Sequence, residues 1–163
     1  MKQQVLETLY ELYSKEVYLY AFSLCKDYHQ AQDLVSDTFF KALIALKDDD
    51  MNIKYWLLKV CKNLWLDSLK YKKRFSDTPF EDNTLHVDFT GLEKLINDEH
   101  KRLLYKAIFT LPPNCTEIIY MFYFCNMPLN DIAKEINISP GAARTLLFRS
   151  RQRLKNILKE DLS

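Results

Sequence analysis

Apolar residues recur three and four positions apart over two long stretches of this chain, and between them the pattern stops. From about Lys2 to Arg74 the spacing predicts three or four helices. The segment "FSDTPFEDNTLHVDFTG" then mixes Pro, Gly, Asp, Asn and Thr without sustained periodicity and is expected to be a linker. Helical patterning resumes near Leu92 and runs to Leu158, interrupted by "LPP" and "NMPLN".

The pattern is sharpest near the end, in "DIAKEINISPGAARTLLFRSRQRLKNIL". Ile132, Ala133 and Ile136 give a short helix an apolar stripe. Asn137 is a suitable left-handed residue to end it, because Asn tolerates positive φ better than most non-glycine residues. Ser139 is a good N-cap, and Pro140 falls at the first helical position, where its missing N–H costs nothing. The helix that follows collects Ala143, Leu147, Ser150, Leu154 and Ile157 on one face. Gly141, Thr145, Phe148, Arg149 and Gln152 point the opposite way, with Arg144 and Arg151 on the flank. A short helix, a tight turn and a second helix with Arg, Thr and Gln outward make a helix-turn-helix, in which Arg can bind guanine edges and neighbouring bases hold phosphates. A basic, solvated helix at the end of a bundle is the plainer alternative.

Two earlier helices carry candidate surfaces. In "QAQDLVSDTFFKALIALK", Val35, Phe39, Ala42 and Leu46 form the core face. Asp33, Asp37, Phe40 and Ile44 form a second stripe, with Lys41 beside it. Exposed apolar residues bordered by carboxylates mark a protein partner surface, unless the first helix covers them. In "NIKYWLLKVCKNLWLDSLKYKKR", Leu57, Val60, Cys61, Leu64 and Ser68 turn inward, while Tyr55, Lys59, Lys62, Asn63, Leu66, Lys70 and Lys73 turn outward, with Trp56 at the edge. Aromatics among lysines suit single-stranded nucleic acid, since bases stack on rings and ammonium groups follow phosphates. A core Trp with a solvated Lys face fits the same residues.

Composition narrows the fold. Only two glycines occur, Gly91 and Gly141, in 163 residues that are 48% hydrophobic. All-β folds need many turns, so the chain should be all-α, with cores enough to exclude wholesale disorder. Charge is divided. Lys54 to Arg74 holds seven bases against Asp67, a balance of +6; Phe75 to His100 stands at −6, and Gly141 to Lys159 at +6, although the whole chain is only +1. Two basic segments around an acidic one suggest two polyanion-binding modules.

Other chemistry is sparse. Cys25, Cys61, Cys115 and Cys125 lie among apolar residues without a C-x-x-C pair and should be reduced core thiols. Cys25 and His29, at i and i+4, could share one helix face and offer two metal ligands, but with no second pair of recognisable spacing no metal or other cofactor is expected. No apolar run approaches the roughly 20 residues of a membrane span, and "MKQQVLETLYELY" lacks a signal peptide's apolar core, so membrane insertion is not expected and the cytosol is.

Taken together, "QAQDLVSDTFFKAL", "YWLLKVCKNLWLDSLKYKKR" and "LPPNCTEIIYMFYFCNMPLNDIAKEINISPGAARTLLFRSRQRLKNIL" resemble, in that order, the polymerase-binding helix of region 2, its promoter-melting neighbour and region 4 of the bacterial extracytoplasmic-function (ECF) sigma factors. The resemblance implies region 2 over residues 1–75, a flexible linker over 76–95 and region 4 over 96–163. It implies that Asp33, Asp37, Phe40, Lys41 and Ile44 meet core RNA polymerase. It further implies that Tyr55, Trp56, Lys59, Lys62 and Asn63 meet the melted −10 strand, with "KDDDMN" as the base-capturing loop. Arg144, Thr145, Phe148, Arg149 and Arg151 would address the duplex −35 element. Promoter DNA and an anti-sigma factor are the other implied partners. The chain departs from the family where Asn126 and Asn137 replace the typical Gly, Pro128 a frequent Ser, and Leu146 a frequent Arg or Lys; its capture loop is short and acidic.

Two rivals remain on the residues alone. A helix-turn-helix regulator acting without polymerase contact would not need the Asp33–Ile44 stripe or the Trp-Lys helix. An enzyme would need a site, yet no H-E-x-x-H, G-x-x-x-x-G-K-S/T or G-x-S-x-G motif occurs and the three His are dispersed, so neither catalytic residues nor a small-molecule substrate are expected.

Overall fold

A computed structural model describes residues 2–45, 52–75 and 92–162, all helix or short connection with no strand among them. The chain divides into two units, Met1–Asp88 and Phe89–Ser163.

The first unit packs three helices, α1 (Lys2–Cys25), α2 (Tyr28–Ala45) and α3 (Ile53–Phe75), each against the other two. Its core takes Val17, Leu19, Tyr20 and Phe22 from α1, Leu34, Val35, Phe39 and Ala42 from α2, and Leu57, Leu58 and Cys61 from α3, all buried. Each large side chain removed from water contributes about 1.5–3 kcal/mol. The buried Thr38 hydroxyl is satisfied within its own helix, donating to the Leu34 carbonyl at 2.6 Å. At the α1–α2 corner the chain reverses through Lys26, whose φ is 57°. Asp27 then caps α2, its Oδ1 accepting from Gln30 N at 3.0 Å. The corner is fastened by Tyr18, whose hydroxyl donates to the Tyr28 carbonyl at 3.0 Å, and by Phe22 stacked on Tyr28 with centroids 4.4 Å apart. Because Cys25 ends α1 and His29 belongs to α2, these two do not share a helix face as a continuous helix would require.

The second unit is built on its last helix. A turn, α4 (Leu92–Leu95), occupies the end of the expected linker and precedes α5 (Glu99–Thr110), which Asp98 caps by accepting from His100 N at 2.9 Å. The paired prolines of "LPP" separate α5 from α6 (Pro113–Ile119), with Pro113 at a first-turn position where its missing N–H is harmless. A π-helical turn, Tyr120–Phe124, extends α6, and Asn126 closes it with φ 56°. Then come α7 (Leu129–Ile136) and α8 (Pro140–Leu162), and α8 packs on α5, α6 and α7. Leu111, Cys115 and Ile119 form a buried cluster against which Leu146, Leu154 and Ile157 of α8 pack. All four cysteines are free thiols; Cys61, Cys115 and Cys125 are buried and Cys25 is half-buried. Most of the expected linker, residues 76–91, and positions 46–51 of the capture loop and its approach lie outside the described residues, as does Leu46. Among the described residues no helix is long and apolar enough to cross a membrane.

Asn137 is the residue that lets α7 stop and α8 start. Its backbone lies at φ 63°, ψ 44°, and Ile138 N bonds back to the Ala133 carbonyl at 2.9 Å in a Schellman-type closure. Asn137→Ala should destabilise this unit by about 1 kcal/mol, because alanine has no local compensation for left-handed backbone, whereas Asn137→Gly should be tolerated. Urea denaturation followed by circular dichroism checks the difference.

Candidate nucleic-acid interface

The α7–turn–α8 segment supplies the helix-turn-helix. Ser139 Oγ accepts from Ala142 N at 3.0 Å, and Pro140 opens α8. Ala143, Leu147 and Ser150 are buried on its inner face, with Leu154 and Ile157 half-buried below them. The Ser150 hydroxyl donates to the Leu146 carbonyl at 2.7 Å, so this buried polar atom needs no partner from another helix. The opposite face is open. Gly141, Arg144, Thr145, Phe148, Arg149, Arg151 and Gln152 are all exposed, Phe148 by 61%. An aromatic ring so exposed amid arginines offers apolar contact to a base while they offer donors. Thr145 Oγ1 already donates to the Gly141 carbonyl at 3.1 Å, which leaves the hydroxyl as an acceptor.

The two flanks of α8 are braced by protein. Leu146 packs on Leu111, Cys115 and Ile119 and is half-buried. On the same side Arg153 Nη1 lies 3.8 Å from Cys115 Sγ, a weak donor contact. On the other side Arg151 Nε donates to Tyr123 Oη at 2.6 Å. The Arg151 guanidinium carbon also stands 5.3 Å from the Phe122 ring centroid and 5.4 Å from that of Tyr123. The periodicity of α8 carries no sign of this contact, since Tyr123 is 28 residues away in sequence.

In α2 the apolar-acidic stripe is uncovered. Asp33, Asp37, Phe40, Lys41 and Ile44 are all exposed, Phe40 by 62% and Ile44 by 66%, so α1 does not cover them. Leu43, 41% exposed and three residues beyond Phe40, widens the apolar patch; its spacing was the available signal. Val35, Phe39 and Ala42 hold the other side of the helix in the core. A helix with both faces apolar and only one buried leaves an unsatisfied hydrophobic surface.

The outer face of α3 is less open than its wheel suggests. Lys59 and Asn63 are exposed, but Tyr55, Trp56 and Lys62 are half-buried. The Lys59 ammonium sits 5.9 Å from the Tyr55 centroid, and that of Lys54 5.7 Å from Tyr13 on α1. Asn52 begins the helix, its Oδ1 accepting from Tyr55 N at 3.1 Å. Leu58 is buried, an inward position the sequence pattern did not single out. Towards the C-terminal end of α3, Asp67, Lys70, Tyr71, Lys73 and Arg74 line an open groove. The net effect is a basic strip with half-buried aromatics, suited to phosphates and to limited stacking.

Comparison with known proteins places these surfaces in a family context. Residues 9–75 match the model of sigma-70 region 2, and residues 101–154 match that of sigma-70 region 4. The chain is 28% identical over 158 residues to the ECF RNA polymerase sigma factor SigM of Bacillus subtilis, covering 92% of this chain and 93% of the relative. It is 22% identical over 177 residues to SigW of the same organism, covering 97% and 91%. The fold is similar to that of the sigma factor RpoE in its co-crystal with the anti-sigma factor NepR from Bartonella quintana, with a TM-score of 0.65, 22% identity and coverage of 94% and 96%.

Gly141 has no conformational reason to be glycine. It is helical without positive φ, and an added Cβ would meet only Arg144 Nη2 at 3.9 Å and Ser139 Oγ at 4.0 Å, ordinary contacts. Gly141→Ala should therefore raise the stability of the unit by about 0.5 kcal/mol through the smaller backbone entropy of alanine when unfolded. Thermal or urea unfolding of the free protein measures it.

Proposed function

This chain is an ECF sigma factor of the sigma-70 family that directs promoter-specific transcription initiation, and we propose that its exposed faces divide the task among three contacts. The α2 stripe of Asp33, Asp37, Phe40, Lys41 and Ile44 docks core RNA polymerase. The α3 strip, with Lys59 and Asn63 foremost and Tyr55, Trp56 and Lys62 behind, takes the melted −10 strand. The outward face of α8, with Arg144, Thr145, Phe148 and Arg149, reads the −35 duplex, and Arg151 lies at its edge. On this reading the protein acts in the cytoplasm, breaks no covalent bond itself and takes no small-molecule substrate.

The observation that carries the proposal is the bare Phe40–Ile44 patch, which a regulator acting on DNA alone has no use for. Burying it recovers hydrophobic free energy that the free protein forgoes, and the flanking carboxylates and Lys41 fix orientation. RpoE was crystallised with an anti-sigma factor, and a comparable inhibitor for this chain would occlude the same faces. We propose further that the free protein binds promoters poorly, because the −6 stretch between Phe75 and His100 opposes by charge the attraction of the two +6 segments to DNA.

The double substitution Phe40→Ala with Asp37→Ala should leave helicity intact and weaken core polymerase binding at least tenfold, about 1.4 kcal/mol. A competition titration against wild type measures this, and unchanged affinity removes α2 from the docking surface.

The two DNA contacts separate by strand and by sequence. If Arg149 reads guanine, Arg149→Ala costs roughly 1–3 kcal/mol on the matching promoter and relaxes preference at one −35 position. A loss uniform across sequences would instead assign it to phosphate. Lys59→Ala with Lys62→Ala should impair strand opening on duplex promoters, while a template pre-melted at −10 recovers most activity. Permanganate footprinting on both templates follows the opening directly.

A further inference from the structure

Arg151 differs from the other arginines of α8 in combining a hydrogen bond at its Nε edge with the neighbourhood of two aromatic rings. Its Nε donates to Tyr123 Oη at 2.6 Å, and the guanidinium stands beside the rings of Phe122 and Tyr123 at 5.3 and 5.4 Å. Those rings meet edge to face, 5.0 Å apart at 86°, and so form two walls of a corner. The corner belongs to the π-helical turn Tyr120–Phe124, which sets consecutive aromatic side chains at a register an α-helix would not give. Arg151 and Tyr123 both remain exposed, Tyr123 by 54%.

A long arginine free on a surface loses rotamer entropy when it engages an anion. Here that ordering is already done. The guanidinium has five N–H donors; Tyr123 takes the one on Nε and leaves the fork of Nη1 and Nη2, the edge that pairs bidentately with phosphate oxygens. Arg151 also lies on one stripe of α8 with Arg144 and Phe148, at i, i+4 and i+7, at the margin of the outward face rather than its centre. A margin is where a helix seated in the major groove meets the sugar-phosphate strand.

We propose that Tyr123, with Phe122, is a positioning residue that holds Arg151 as a phosphate clamp beside the −35-reading face of α8. The clamp contributes affinity and register but no sequence preference. It rests on the reading that α8 engages duplex DNA.

The test is a salt titration of duplex binding with four proteins: wild type, Tyr123→Phe, Arg151→Ala and the double variant. Each is measured as the full chain bound to core polymerase on a promoter, and as the full chain alone on a duplex of unrelated sequence at low salt. Arg151→Ala should lower the slope of log affinity against log salt by about one and weaken all sequences alike. Tyr123→Phe, which keeps the ring and removes the acceptor, should weaken binding about fivefold, because Arg151 must then be ordered at the moment of binding. In the Arg151→Ala background Tyr123→Phe should have no further effect. Equal losses from Tyr123→Phe in both backgrounds would overturn the proposal, since Tyr123 would then act on DNA or on folding by itself. An unchanged salt slope in Arg151→Ala, with promoter preference intact, would overturn the clamp and leave −35 reading standing. Loss of promoter preference in the wild-type holoenzyme, with an Arg151-dependent slope kept on unrelated duplex, would reject −35 reading and leave the clamp standing.

Discussion

The inner face of α8 has to be closed before its outer face can mean anything. Ala143, Leu147 and Ser150 are buried on a helix that packs against α5, α6 and α7. That burial fixes the rotation of α8 about its axis. Once rotation is fixed, a residue's position in sequence decides whether it faces protein or water, and Arg144, Thr145, Phe148 and Arg149 have no choice but to face outward. Base readout demands placement to a fraction of a hydrogen-bond length, which a helix free to roll would not hold. The small side chains Ala143 and Ser150 matter here as much as Leu147, since they keep the inner face shallow enough for neighbours to approach.

The same economy appears in how the buried Thr and Ser hydroxyls are treated. Thr38 and Ser150 bond to a carbonyl four residues earlier in their own helices, and Thr116 bonds to the carbonyl of Ile108 at 3.1 Å. An unsatisfied buried hydroxyl would cost about 1–3 kcal/mol, and these bonds avoid that within a few residues of chain. Most basic residues of α3 and α8 stand at the surface, where a polyanion can reach them, while Lys54 and Lys62 are half-buried. Packing is left chiefly to apolar and small side chains, and the charged groups that contact protein do so at the edges of the two basic faces.

Local physics made the helix-turn-helix legible. Asn137, Ser139 and Pro140 each constrain their own backbone, and the apolar spacing of α8 follows from helix geometry, so both could be read from a few consecutive residues. The exposure of Phe40 and Ile44 needed knowledge of what covers α2; the sequence offered the stripe but not the absence of a cover. The α1–α2 corner was missed because Lys26 takes φ 57° without the usual glycine or asparagine. The signal that was present lay in Asp27 and Gln30, a cap residue followed three positions later by glutamine. Tyr123 and Arg151 were not connectable at all, because their meeting depends on how the π-helical turn and α8 pack.

Counting bases along α8 therefore overstates how many of them read DNA. Six basic residues lie between Gly141 and Lys159. Arg153 reaches back to Cys115 and Arg151 to Tyr123, and Leu146 packs on Leu111, Cys115 and Ile119. Leu146 thereby adds to the seat of α8 on α6 and brings no charge to that flank. Phosphate contacts supply affinity and base contacts supply choice, so a basic residue braced at a flank and one on the open face are not equivalent. The outward positions from which −35 selection is proposed are therefore fewer than the basic residues of the helix, and they are the ones that its packing leaves without a brace.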